Sequence, residues 1–231
     1  MAEALLAPIA EADLANVTAW ALRDIAWRLN GDPRHEWLHG QPGLVRRIDF
    51  ELADFAGARM LLEQLHEHSG MPIGQSVKHG SQTRGALFSR AEPHLTAIRK
   101  ALEGVLAEYR AGLPMADPTH PLLSRRDVPW AITGSWSIRF DGAGHHAAHI
   151  HPKGVVSTAS YFTVPDEVDE PGAPGWLELG CPPSEMAVPL DELHTYKPRE
   201  SSCVLFPSTL FHGTRPIRSG RRMTIAFDVT A

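Results

Sequence analysis

Cysteine is scarce in this chain, with two among 231 residues, and an excess of positive charge is absent. Cys181 and Cys203 cannot form a disulfide framework, and neither lies in a Cys-x-x-Cys spacing that would hold zinc. They read as small buried hydrophobes or inert loop thiols, a usage that fits a reducing cytoplasm. A formal charge of −5 gives no support to a nucleic-acid partner or an acidic membrane surface. No run of about 18 apolar residues occurs, so no membrane-spanning helix is expected. The opening Met-Ala-Glu-Ala-Leu-Leu-Ala-Pro lacks the basic residues of a secretory signal.

What is present is an ordinary globular composition, 43% hydrophobic and 21% charged, long enough to bury a substantial core. The first part is helical in texture. Within residues 3–30, Leu14, Val17, Ala21, Ile25 and Leu29 share one helix face, and Asn30-Gly31-Asp32-Pro33 stops it. A second helix is expected from about Phe50 to His68, with Leu52, Phe55, Leu61, Leu62 and Leu65 inward. A third is expected from about Pro93 to Leu113, burying Leu95, Ile98, Leu102, Val105, Leu106 and Tyr109. The polar stretch Lys78–Gly85 follows no period and reads as a loop, either a connector or a lip over a site.

Beyond Pro114–Pro121 the texture changes. Short β-branched or aromatic runs at Trp136–Phe140, Val155–Val164, Gly175–Leu179, Ser202–Phe206 and Met223–Val229 alternate with Gly, Pro and Asp clusters, as antiparallel strands do. Helices first and strands after predict an α+β fold, mainly β in its C-terminal half: a barrel or jelly roll decorated by N-terminal helices. Residues 1–70 would form the helical extension, a candidate remnant of a helical repeat although no second copy is present, and 71–231 the barrel. The acidic stretch Pro165–Pro174 reads as a solvated turn with no metal role.

Histidine is the abundant chemistry-bearing residue: thirteen in all, four of them within Gly144–Pro152 (Gly-His-His-Ala-Ala-His-Ile-His-Pro). On an extended segment His149 and His151 project to one face and could share a metal ion, or simply form a solvated strand face. A third ligand must come from far along the chain. His212 is the candidate, lying between an apolar run and the basic segment Arg218–Arg222. Imidazole suits Zn, Cu, Fe and Ni, so ligand type alone does not choose the metal.

Several blocks together resemble the Fe(II)/2-oxoglutarate-dependent oxygenases, in particular bacterial prolyl-hydroxylase-like members that follow helical repeats. They are His79–Thr83, Gly134–Ser137, Gly144–Pro152, Gly175–Glu178, Leu205–Ser208 and Arg222–Asp228, and the resemblance covers about residues 75–231. It implies a double-stranded β-helix of jelly-roll or cupin-like form, Fe(II) as the metal and 2-oxoglutarate as co-substrate. The implied reaction is hydroxylation of a small-molecule or peptide substrate with release of succinate and CO2. Phe140, nine residues before His149, takes the place of the family's strand-end aromatic. Arg222, ten after His212, takes the place of the basic residue that pairs with the far carboxylate of 2-oxoglutarate, with Gly220 in the preceding turn. Arg221 would point to the opposite face. Tyr161 stands where relatives place a hydroxyl on that same carboxylate, or else is a core aromatic. His146, Arg139, Gln82 and Thr224 are further pocket candidates; His145 is expected to face solvent, and His79 and His194 to be ordinary surface or loop residues.

One departure is informative. The family's usual triad is two His and one carboxylate, whereas the carboxylate position here is His151, a form shared by bacterial members of the subgroup. The implied ligands His149, His151 and His212 leave the metal one negative charge poorer; alternatively His151 stands behind the metal or contacts substrate. Two competing readings remain open: a cupin-type three-His metalloenzyme, for which Glu178 is the candidate additional ligand, and a non-catalytic module that binds a partner through its N-terminal helices.

Overall fold

A computed structural model describes residues 2–72 and 76–231. Among them lie four α-helices, α1 (Ala2–Ala12), α2 (Val17–Leu29), α3 (Phe55–Glu67) and α4 (Pro93–Ala111). Nine strands follow or intervene: β1 (Arg46–Asp49), β2 (Val77–Gln82), β3 (Ala131–His146), β4 (Val156–Thr163), β5 (Leu177–Leu179), β6 (His194–Tyr196), β7 (Ser202–Pro207), β8 (His212–Thr214) and β9 (Arg221–Thr230). They pair antiparallel in a six-stranded sheet, β1-β7-β4-β9-β3-β2, and a three-stranded sheet, β6-β5-β8. No helix among the described residues is long and apolar enough to cross a membrane.

Strand β9 shows how the pattern builds two faces. Met223, Ile225, Phe227 and Val229 enter the core beneath α3 and α4, beside Leu62, Leu95, Ile98, Leu102 and Tyr109. The intervening Arg222, Thr224 and Ala226 line a cavity on the other face. β7 alternates likewise: Cys203 and Leu205 join the helix-covered core, while Val204 and Phe206 pack with Tyr161, Leu177, Leu179 and Leu210 between the sheets. Both faces of β7 are therefore covered, and all six of its residues are buried.

The helix expected over 3–30 is two helices. Asp13 accepts a hydrogen bond from the Ala15 amide, and Asn16 caps α2 by accepting from Ala19 N at 3.0 Å. Two capping side chains within four positions outcompete helix continuation. α3 begins at Phe55 rather than near Phe50 because Asp54 caps it, accepting from Gly57 N at 2.8 Å. α4 opens on Pro93 and buries the six apolar residues its spacing predicts. Lys78–Gln82 is not a loop but part of β2, paired with β3; a shift in register between Lys78 and Gly80, with His79 at φ +59°, breaks the alternation that would have marked it. β1, which lies between the first two expected helices, has no counterpart in the sequence pattern, nor have the three-residue strands β6 and β8. In the acidic turn, Glu167 is buried and accepts from the backbone amides of Arg218 and Ser219, so its charge anchors the turn before β9 instead of solvating a loop.

Candidate metal centre

The three histidines singled out in sequence meet in space. One ring nitrogen from each of His149, His151 and His212 lies within 4.8 Å of the other two. Two of the residues are tied together by their backbones: His149 N donates to His212 O at 3.0 Å, and His212 N to His149 O at 2.9 Å. Gly213 permits this approach, since a Cβ there would stand 2.9 Å from His146 O and 3.1 Å from Ala148 N.

The ring tautomers are set by what the outer nitrogens touch. His149 Nδ1 faces Ala147 O at 2.9 Å and His212 Nδ1 faces Leu210 O at 3.1 Å, so each donates its N–H to a carbonyl. His151 Nδ1 meets the carboxylate Oδ1 of Asp228. The inner nitrogens, Nε2, of His149 and His151 converge to 3.1 Å. Two imidazole nitrogens at that distance suit a shared cation. Burial and the neighbouring His151 hold the His149 ring down to about 4, and burial pushes His212 and His146 well below the usual imidazole range. Neutral rings are the metal-binding form.

The histidines open into a cavity of about 450 Å³ walled by Trp136, Ile138, Leu177 and Ala226, with Gln82, Thr158, Thr224 and Arg222 among its polar groups. Arg222 is 2% exposed, and no carboxylate faces it among the described residues. Its Nε has no hydrogen-bond partner, and burial lowers its pKa. Tyr161 is fully buried behind it, with the guanidinium carbon 5.5 Å from the ring centroid. Arg221, the alternative cation, points outward to Asp141 and Glu63.

Of the remaining candidates, His146, Gln82 and Thr224 line the cavity. Arg139 does not: the neighbouring Ile138 takes the cavity side of β3, and Arg139 pairs with Glu63 at 2.9 Å on the other. Tyr161 is likewise not a cavity-wall residue; it supports Arg222 from behind with its ring. Glu178 is engaged by Arg215 at 2.7 Å, which removes it as a further metal ligand. His145 is half-buried rather than solvent-facing, His79 is exposed, and His194 lies in β6 away from the cavity.

Three features escaped the sequence reading. Ser76 lines the cavity, its hydroxyl 3.3 Å from His149 Nε2 and 3.4 Å from His146 Nδ1. Asp228 shares the Arg222 face of β9, a parity that could have revealed it. Behind the ligands, Ala21 and Ile25 of α2 pack on Phe211 and Ile150, the chain neighbours of His212, His149 and His151. A buried chain from Asp24 through His39 to Thr209 runs alongside, with contacts of 3.0 and 2.9 Å.

Residues 134–228 match the family model described as "Putative 2OG-Fe(II) oxygenase". The fold is similar to the viral collagen prolyl hydroxylase vCPH from Paramecium Bursaria Chlorella virus-1 in its 2OG complex: 14% identity, 80% of this chain and 95% of that one covered, TM-score 0.52. It is also similar to HygX from Streptomyces hygroscopicus with nickel and 2-oxoglutarate bound, at 14% identity, 85% and 84% coverage and TM-score 0.52. A third is a prolyl hydroxylase from Trichoplax adhaerens in complex with a hypoxia inducible factor peptide fragment, at 15% identity, 87% and 92% coverage and TM-score 0.51. These likenesses establish the double-stranded β-helix expected from the sequence. No curated protein matches the chain.

Proposed function

We propose that this chain, whose residues 134–228 match a 2OG-Fe(II) oxygenase family model, is a non-haem Fe(II)- and 2-oxoglutarate-dependent oxygenase that hydroxylates a small-molecule or peptide substrate. One observation carries the reading: a single cavity holds three converging imidazole side chains and a buried guanidinium with no acid of its own. A 2-oxo dicarboxylate satisfies both, chelating a divalent ion through its 2-oxo acid and taking the arginine fork on its distal carboxylate.

In this reading His149, His151 and His212 hold Fe(II), and Arg222 holds the far end of 2-oxoglutarate, with the Tyr161 ring fixing the guanidinium in place. Bound iron and co-substrate together supply the oxidising chemistry, in which 2-oxoglutarate, O2 and R–H become succinate, CO2 and R–OH. The chain's part is placement. Thr224 and Gln82 offer hydrogen bonds that orient ligands, and Trp136, Ile138, Leu177 and Ala226 keep water from the reacting centre. The pairing of Glu178 with Arg215 disfavours a cupin site with an added glutamate, and the buried Arg222 with its unpartnered Nε disfavours a vestigial barrel.

Anaerobic Fe(II) titration with and without 2-oxoglutarate tests the reading. A weak visible metal-to-ligand charge-transfer band that requires both components is the expected result. Metal binding without that band would overturn the oxygenase assignment and favour a three-His metalloenzyme of another kind.

A further inference from the structure

His149 and His212 give their Nδ1–H groups to neutral backbone carbonyls, whereas His151 gives its own to Asp228. The contact has close neighbours on β3. Asp228 pairs in register with Gly134 of β3, and a Cβ on Gly134 would come within 3.5 Å of Asp228 Oδ2 and 3.2 Å of the Trp136 ring. The Trp136 ring in turn lies 5.5 Å from that of His151 and flanks the pair. Asp228 therefore has a defined place beside one ligand histidine, with a bare backbone opposite it.

We propose that Asp228 is the carboxylate of this metal centre, a positioning residue that acts through His151 rather than on the metal. A carboxylate on the outer N–H of a ligating imidazole fixes its orientation and raises the basicity of the inner nitrogen. The negative charge that the His-x-His pattern withholds from direct coordination is thus supplied one ring away. β9 carries both charges of the site on one face, Asp228 for the metal and Arg222 for the anion. The inference deepens the oxygenase reading and rests on it for the identity of the metal, but the binding of a divalent ion alone is enough to test it.

The test is a pair of variants in two backgrounds, titrated anaerobically with Co(II) and Fe(II) without 2-oxoglutarate or substrate. Asp228→Asn keeps the shape and an acceptor oxygen while removing the charge, and it is expected to weaken metal affinity about 10- to 100-fold. The Co(II) visible bands should shift, and the thermal midpoint of the metal-free protein should stay near that of the wild type. His151→Asp places a carboxylate on the metal directly. In that background Asp228→Asn should no longer weaken binding, because a second nearby carboxylate then repels the first. A merely structural Asp228 would cost the same in both backgrounds and would overturn the proposal, as would Asp228→Asn binding metal like the wild type. Wild-type protein that binds no divalent ion would overturn both this inference and the oxygenase reading. An Asp228 effect without a 2-oxoglutarate band would overturn only the latter.

Discussion

Replacing Arg222 with Met should move stability and ligand binding in opposite directions. The guanidinium is 2% exposed, faces no carboxylate among the described residues, and leaves its Nε without a hydrogen bond. An uncompensated buried charge costs several kcal/mol, and its replacement by an apolar side chain of similar length commonly stabilises by roughly 1–4 kcal/mol. At about 2–4 °C per kcal/mol for a chain of this size, the metal-free Arg222→Met protein should melt roughly 2–16 °C above the wild type. The same substitution removes the cation from the anion end of the cavity. Loss of a buried charge-assisted pair costs about 2–5 kcal/mol in binding, roughly 30-fold or more in the dissociation constant of 2-oxoglutarate. Calorimetry with and without metal and 2-oxoglutarate reads both effects: wild type should gain about 3 kcal/mol at a hundredfold excess of co-substrate over its dissociation constant, and the variant far less at the same concentration. A metal-free variant less stable than wild type, or one that binds 2-oxoglutarate undiminished, would refute the view that Arg222 is a strained cation kept for an anion.

Three further outcomes are expected. His120 is buried with Nε2 on Leu38 O while Nδ1 accepts from the amides of Leu122 and Leu123, and burial holds its pKa down to about 4. Because the unfolded ring protonates near 6.5 and the folded one only near 4, stability of the metal-free protein should fall as pH drops through that window, by roughly 3 kcal/mol from this group. Urea unfolding at several pH values checks this, and the dependence should flatten in His120→Asn; an unchanged slope there would contradict it. Ile25→Ala on α2 removes support from Phe211 and Ile150; it should cost about 2–4 kcal/mol of stability and weaken metal binding as well, as Co(II) titration of the folded variant would show, whereas Leu5→Ala on exposed α1 should leave metal binding intact. Arg139→Gln should leave the 2-oxoglutarate band unchanged, since Arg139 faces Glu63 and not the cavity; loss of the band would return it to the site.

Much of the architecture was legible because it is written in local periodicity. The six buried residues of α4 follow directly from a 3.6-residue spacing, and the long strands β3, β4, β7 and β9 announce themselves by composition. Short strands are another matter: β6 and β8 are three residues each, too brief for any alternation to register, and exist because β5 pairs with both. β2 was hidden by the left-handed His79, which interrupts the pattern at its centre.

The chemistry divides in the same way. The spacing of His149 and His151, the distant His212 and the position of Arg222 marked the candidate site before any coordinates, because a two-residue period puts alternate side chains on one face. Tertiary structure alone decided that Arg222 and not Arg221 enters the cavity, that Arg139 turns away, and that Tyr161 stands behind the guanidinium. It also brought Asp228 to His151 across 77 residues and seated α2 behind the segments that bear the histidines. Local sequence sets which faces an element has. Which groups meet across those faces depends on register and on the twist and closure of the sheets, and these are settled only when every strand has found its partner.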